Sequence, residues 1–398
     1  MGTKNTAETG IAGGFVDRNS VINTALIIIS LILAFTKNPF CLLIWPLFLL
    51  LDDVLLLLFK CTVFDSEVSV RRSYQFLHLF LERTSGYGRD LGFNLYDGDI
   101  TKDPHQSQKD KWEFMLSQLD LQEGDRLIDI GCGYGDWLNV ARKKGIEVVG
   151  VNLSPEQAIF AKQEYGLDVI RCNWKNILTD LNLQEKLFGK FDAITFMDTI
   201  EHYVHYSKGG TKEAETTYKN MFNLAHRLLN PKSRTGRVFI SCLHMNPTVA
   251  QPSKFFVFRY QLKNFLSSLL LIRMHSGSYP WGDDGLTKHC TPFFSEISRY
   301  DKTEDYRLTG VLDNEHFQSP KIKWTRAKIL YIPYLMLVDP HHIYKWLDFH
   351  YDAWMNYFGK DNYERKHDPE KRRRTSMVTL WWLILKHNQD VSNNQALS

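Results

Sequence analysis

Cysteine is scarce in this 398-residue chain, and what there is lies scattered. The six residues at 41, 61, 132, 172, 242 and 290 form no C-x-x-C pair. That spacing argues against a zinc site and against a disulfide framework, and points to a reducing compartment for the soluble part. Net charge is only +3, so no global basic field speaks for nucleic acid. No basic segment leads directly into the first apolar run and no small-residue cleavage site follows it, which argues against a signal peptide. Two glycine signatures are missing as well: the G-x-G-x-x-G of a dinucleotide fold and the lysine that ends a phosphate-binding loop.

What is there centres on Arg126-Leu127-Ile128-Asp129-Ile130-Gly131-Cys132-Gly133-Tyr134-Gly135. A short apolar run bounded by turn residues suits a parallel strand buried on both faces. Glycines 131, 133 and 135 let the backbone turn sharply and let a ligand lie against bare main chain before a helix over 136–144. Cys132 reads as a small residue in a crowded turn.

Ahead of this centre, residues 1–20 read as a polar, disordered terminus. Residues 21–59 hold two apolar runs parted by Thr36-Lys37-Asn38-Pro39. Each is near the roughly 20 residues that span hydrocarbon. Asp52 and Asp53 would each cost about 3 kcal/mol at mid-bilayer. They therefore belong at an interface, or the segment is a re-entrant hairpin; a buried helical pair is the soluble alternative. Lys60, Arg71 and Arg72 follow, and on the positive-inside rule they put the rest of the chain in the cytosol. Residues 60–107 read as a helical linker, with a helix over 66–83 and a glycine-rich loop.

From about 108 to 246 strands and helices alternate. The strands are 126–130, 147–151, 167–171, 191–197 and 237–243; the helices are 109–119, 156–165 and 219–229. Ser154 before Pro155 supplies an N-cap and a first-turn proline. The pattern predicts an α/β fold with a doubly wound, mostly parallel seven-stranded sheet, whose ligands bind at the strand C-termini. Tyr306–Leu312 and Ser376–Leu385 are the candidate sixth and seventh strands. Residues 247–358, which contain the first of these, read as an α-helical lid insertion. Within it, 253–274 is apolar with only positive charges, suiting a membrane surface, an acyl pocket or a lid packed on the core. The last segment, 359–398, is a strand and a disordered tail. Lys371-Arg372-Arg373-Arg374 reads as a solvated face or as a site for anionic headgroups.

The glycine loop, with an acidic residue just before its first glycine, resembles motif I of the class I S-adenosylmethionine methyltransferases. More specifically, 108–246 resembles the cyclopropane-fatty-acid synthase and mycolic-acid methyltransferase family. The marks are Gly150-Val151-Asn152-Leu153-Ser154-Pro155-Glu156-Gln157 after the second strand, Glu201-His202 after the fourth, and Leu228-Leu229-Asn230-Pro231 before the fifth. The membrane hairpin ahead of the domain also resembles the sphingolipid C9-methyltransferases. The resemblance implies S-adenosyl-L-methionine as cofactor. Asp129, Gly131, Gly133 and Gly135 would hold its methionine part, Asn152, Ser154 and Gln157 its ribose, and Asn173 and Trp174 its adenine. Trp174 reads equally as a core aromatic.

Family enzymes add a methyl group to an alkene carbon, and the resulting cation must lose a proton. In cyclopropane synthases a bicarbonate takes it, held by cysteine, glutamate, histidine and tyrosine. Here Glu201 matches the glutamate, Ser241 stands where the histidine is expected, Leu95 falls near the cysteine, and an insertion before Tyr351 leaves the tyrosine unplaced. Beside a sulfonium Glu201 would stay ionised and stabilise developing positive charge; a raised pKa would make it or His202 a base. His202 reads equally as a structural histidine. The leading expectation is a membrane-bound lipid methyltransferase, on the endoplasmic reticulum or another internal membrane, acting on an unsaturated fatty-acyl or sphingoid chain, with no metal and no nucleic-acid partner. A tethered methyltransferase of a small polar metabolite and a non-catalytic scaffold are the alternatives.

Overall fold

The computed structural model describes residues 17–59, 61–65, 67–75, 92–205, 208–248, 273, 279–317, 353–358 and 363–388. The expectations for 1–16, for most of the 253–274 segment and for the tail beyond 388 lie outside these residues.

Seven strands form one sheet: β1 (Arg126–Ile130), β2 (Glu147–Asn152), β3 (Val169–Arg171), β4 (Ala193–Met197), β5 (Arg237–Met245), β6 (Phe294–Asp301) and β7 (Val378–His387). Their order is β3-β2-β1-β4-β5-β7-β6. The first five are parallel, and β7 runs antiparallel to both β5 and β6. The winding reverses between β1 and β4, so their C-terminal ends open a crevice where such sheets bind ligands.

Helices cover both faces, which is why Leu127, Ile128 and Ile130 of β1 are apolar and buried. Leu127 packs on one side with Met115 and Leu119 of α3 (Pro104–Leu119) and with Trp382. Ile128 packs on the other with Met221 and Phe222 of α6 (Lys212–Leu228) and with Leu383. Trp382 meets Phe93, Phe114 and Phe239 at ring-centroid distances of 5.3, 5.0 and 5.5 Å. This cluster pins the segment before α3 onto the sheet. Between these helices lie α4 (Asp136–Lys143) and α5 (Pro155–Tyr165), the latter capped by Ser154 with Pro155 in its first turn.

Two expected helices are longer at their N-termini. Asp103 caps α3 by accepting from the amides of His105 and Gln106, and Thr211 caps α6 by accepting from Ala214. The candidate sixth strand, Tyr306–Leu312, is a correction: it lies inside helix α7 (Thr303–Phe317). Leu308 and Val311 are buried three residues apart, and Glu304 pairs with Arg307 at i,i+3, both helical spacings. The true sixth strand, Phe294–Asp301, is an edge strand with only Phe294 buried and a bulge at Glu296/Ser298, so it carries no apolar run to read. The basic run 371–374 lies inside α8 (Pro369–Thr375) and is split. Arg372 is buried 3.3 Å from Glu304, while Arg373 and Arg374 are exposed and pair with Asp283 and Glu370.

At the N-terminus α1 (Arg18–Thr36) and α2 (Ile44–Phe59), joined through the 3-10 turn Pro39–Leu43, form a hairpin whose burial is inverted. Asn19 and Asn23 are 0% exposed and Asp53 1%, whereas Phe35 is 88%, Phe40 76% and Leu47 58% exposed. A soluble core would do the opposite. Both apolar stretches, Arg18–Thr36 and Pro39–Leu56, are long enough to cross a membrane by length and composition.

Candidate active site

A cavity of about 700 Å³ lies across the C-terminal ends of β1, β2 and β4, mid-range for a small-molecule site. The glycine loop forms its floor. Gly131 adopts φ +92, and a Cβ there would stand 2.4 Å from Thr199 Oγ1. Gly133 has φ +52 and nothing within 4 Å of a Cβ, so its bare face opens onto free space. Gly135 differs: it caps α4 in the left-handed region, its Cβ would meet Leu167 at 2.9 Å, and it is not among the cavity-lining residues. It lets the start of α4 pack closely on Ala161 of α5 and on Leu167.

Asp129 is buried, lines the cavity and accepts a hydrogen bond from Thr195 Oγ1 at 2.7 Å. Trp137 Nε1 donates to the same hydroxyl at 3.3 Å. Asn152, Ser154 and Gln157 also line the cavity, and they brace one another. Asn152 Nδ2 donates to Gly133 O (3.0 Å) and to Gln157 Oε1 (2.9 Å), tying the β2 end to the glycine loop. Asn173 lines it too, but its side-chain oxygen caps the turn Trp174–Ile177 by accepting from Lys175 N, and its Nδ2 donates to Glu67. Trp174 is both core and wall: 6% exposed, it lies 4.8 Å from the Tyr203 ring at 34°.

The two candidate catalytic residues part company. His202 lines the cavity, and its Nε2 is hydrogen-bonded to the Tyr74 hydroxyl at 2.7 Å. Glu201 lies behind the lining, 3% exposed, with Oε1 accepting from Leu243 N at 2.6 Å and Oε2 without a hydrogen-bond partner among the described residues. Burial, reinforced by the negative charge of Asp198, pushes its carboxyl up to about 8. Without a cation beside it, Glu201 is therefore held towards its protonated form; the ionised form expected beside a sulfonium is a different condition. The cavity-lining Asp198 sits in the left-handed region at φ 49 and accepts from the Ser241 hydroxyl. Ser241 thus serves Asp198. Leu95 is buried in the core, and His244 bonds Gly282 O through Nδ1 at 2.7 Å. A carbonyl can only accept, so Nδ1 carries the proton; burial lowers the His244 pKa to about 4 and keeps the ring neutral.

Sequence reasoning missed Tyr74, Thr195 and Trp137. The last two stand at unremarkable positions, and only the β1–β4 register, Asp129 opposite Thr195, brings them together.

A reversed final strand pair, a glycine turn after β1 and a cavity across the β1, β2 and β4 ends define a class I methyltransferase fold. Residues 71–261, a little under half of the chain, match the family described as mycolic acid cyclopropane synthetase. Among curated relatives it is 32% identical over 115 residues to a sphingolipid C9-methyltransferase of Candida albicans, covering 26% of this chain and 22% of that one. It is 30% identical over 161 residues to cyclopropane mycolic acid synthase 1 of Mycobacterium tuberculosis, covering 39% and 49%. The matches thus span half or less of those relatives' own length. The solved structure of a mycolic acid cyclopropane synthase complexed with SAH and CTAB superposes with a TM-score of 0.53 at 19% identity, over 81% of this chain and 99% of that one. At that identity the likeness is one of fold.

Proposed function

We propose that this chain is an S-adenosylmethionine-dependent methyltransferase, attached to a membrane by its N-terminal hairpin and acting on a double bond of an unsaturated fatty-acyl or sphingoid chain. The observation that carries the reading is Gly133. Its bare face opens onto the cavity at the β1 end, next to Asp129, in the stretch that matches the cyclopropane synthetase family. A cofactor's methionine end fits against that backbone, with the Asp129 carboxylate for its ammonium. Gly131 keeps Thr199 close, and Asn152 with Gln157 holds the loop in place; Trp174 offers a flat wall to an adenine.

When bound, the cofactor supplies a methyl group on a positively charged sulfonium. Asp198 and, once ionised, Glu201 concentrate negative charge at the β4 end, where developing positive charge is stabilised most in a dry site. Arrival of a cation favours the ionised form of Glu201, against the burial that raises its pKa. His202 at the cavity wall, held by Tyr74, is the nearest side chain of the pair to the open volume and is the candidate for taking up a proton.

The lipid class is supported by the inverted hairpin and by the relatives named for lipid substrates. Asn23 bonds Trp45 Nε1, which fixes one level across the hairpin. From Asn23 to the Thr36 turn the helix rises only about 20 Å, less than the roughly 30 Å of hydrocarbon. That span suits a hairpin that dips in and returns, leaving both its ends on one face. The cytosolic orientation rests on the basic residues after it, although Arg72 is consumed by Asp17 at 2.7 Å.

Radiolabelled methyl transfer from S-adenosylmethionine to a total lipid extract tests the proposal. Label in unsaturated lipid supports it. Label that enters only a water-soluble acceptor favours a tethered enzyme for a polar metabolite and sinks the lipid reading.

A further inference from the structure

The hairpin's polar interior is spent on one purpose. Arg273 is buried and donates from Nε to Asp53 Oδ1 at 2.7 Å, from Nη2 to Asp52 Oδ2 at 2.5 Å and from Nη1 to Thr62 Oγ1 at 2.8 Å. Asp52 also accepts from Thr62 Oγ1 and from Val63 N. On the other helix, Asn19 bridges to Asp65 and Ser69, and Asp17 pairs with Arg72. Asp52 and Asp53 are thus neither free at an interface nor exposed to lipid. They clamp the 61–75 stretch to the hairpin base, and buried charges with full partners fix geometry even where they add little stability.

That clamped stretch is also a wall of the reaction cavity. Cys61, Thr62, Phe64, Val70 and Tyr74 line the same volume as Asp129, Gly133 and Trp174. Three contacts lock it against the domain: Tyr74 with His202, Glu67 with Asn173, and Gln75 with Glu156 at 2.9 Å. The base of an outward-apolar hairpin and the strand ends therefore bound one continuous space.

We infer that the hairpin is part of the active site, and that the cavity takes its substrate chain directly from the bilayer past Cys61 and Phe64. The substrate class is then a lipid resident in the membrane, as opposed to an acyl chain delivered on a soluble carrier. This rests on the lipid-methyltransferase reading above. Its physical basis is that moving methylenes from hydrocarbon into water is unfavourable at every step. A path walled by the hairpin's own base leads a chain from lipid to strand ends without that transfer.

The test uses the full-length protein in vesicles of unsaturated phosphatidylcholine and unsaturated ceramide, with labelled S-adenosylmethionine. The same unsaturated chains are offered in parallel as thioesters on soluble acyl carrier protein. Wild type should label vesicle lipid at least tenfold faster than the thioester. Cys61→Leu and Cys61→Trp should slow vesicle labelling progressively, tenfold or more for tryptophan, with SAH affinity by calorimetry within twofold of wild type. Arg273→Gln should lower vesicle labelling in the same way while SAH still binds. A faster reaction with the carrier thioester, or full vesicle activity in Cys61→Trp, would overturn the inference and leave the lipid reading intact. Loss of SAH binding in both Cys61 variants would place that residue in the cofactor's own site and also overturn it. A wild type that binds SAH but labels neither lipid nor thioester would sink the proposed function itself.

Discussion

The two sides of the cavity are made in different ways. The side formed by β1, β2 and the loops after them is built from residues close in sequence: the glycine turn at 131–135 and the Asn152–Gln157 brace lie within about thirty positions. The facing side is assembled from afar. Tyr74 reaches His202 across 128 positions, and Arg273 reaches Asp52 across 221. The local side is the one that would hold the cofactor. The long-range side would select what receives the methyl group and where it comes from. Disturbing each should therefore give different phenotypes.

The largest effect is expected on the local side. Gly133→Val fills the only space its Cβ has, the ligand's, and adds a strained positive φ. SAH binding should fall more than 100-fold by calorimetry, with the protein still in the membrane fraction; retained binding would remove the glycine loop from the cofactor site. Next comes Glu201→Gln, which should lower methyl transfer by about 10²–10³, the range for removing one electrostatic stabiliser, in a single-turnover assay at saturating cofactor. A rate near wild type would reduce Glu201 to a prop for Leu243.

The same variant sharpens the pH behaviour. Folded, cofactor-free protein keeps the Glu201 proton up to about 8, whereas the ordinary carboxyl value is 4.5. Between those values the folded state binds more protons than the unfolded one, so this group's contribution to stability is lost as pH rises. Glu201→Gln removes that dependence. Its Tm relative to wild type should rise from pH 5 to pH 8; a gap that stays constant would mean that Glu201 titrates normally.

The smallest effect belongs to Thr195→Val. It removes the hydroxyl that donates to Asp129, a loss of about 1 kcal/mol, and should weaken SAH binding about fivefold without changing the preference among lipid acceptors. An altered acceptor preference would erase the division between the two sides.

That division also explains what was legible in the sequence. Strands β1, β2 and β4 and the Ser154 cap were read correctly because apolar runs, turn glycines and caps are local signals. The start of α6 was missed although Thr211 carries a capping signal, since no apolar periodicity marks its first two turns. The edge strand Phe294–Asp301 was passed over for Tyr306–Leu312, because an edge strand buries little and a helix with Leu308 and Val311 inward can pass for a strand. Asp52 and Asp53 were legible as an expense within an apolar helix, but not their partner, Arg273, which stands 221 positions after Asp52, between β5 and β6. Glu201 was located at the right strand end. Its orientation away from the cavity lining, towards Leu243 N, depends on β5 and had no mark of its own.

The most direct measurement is lipid mass spectrometry on cells with and without the full-length chain, each with a Gly133→Val control. The account predicts unsaturated membrane lipids heavier by the mass of one methylene, only where the unaltered chain is present. Lipids identical in all samples, together with a methylated water-soluble metabolite, would contradict it.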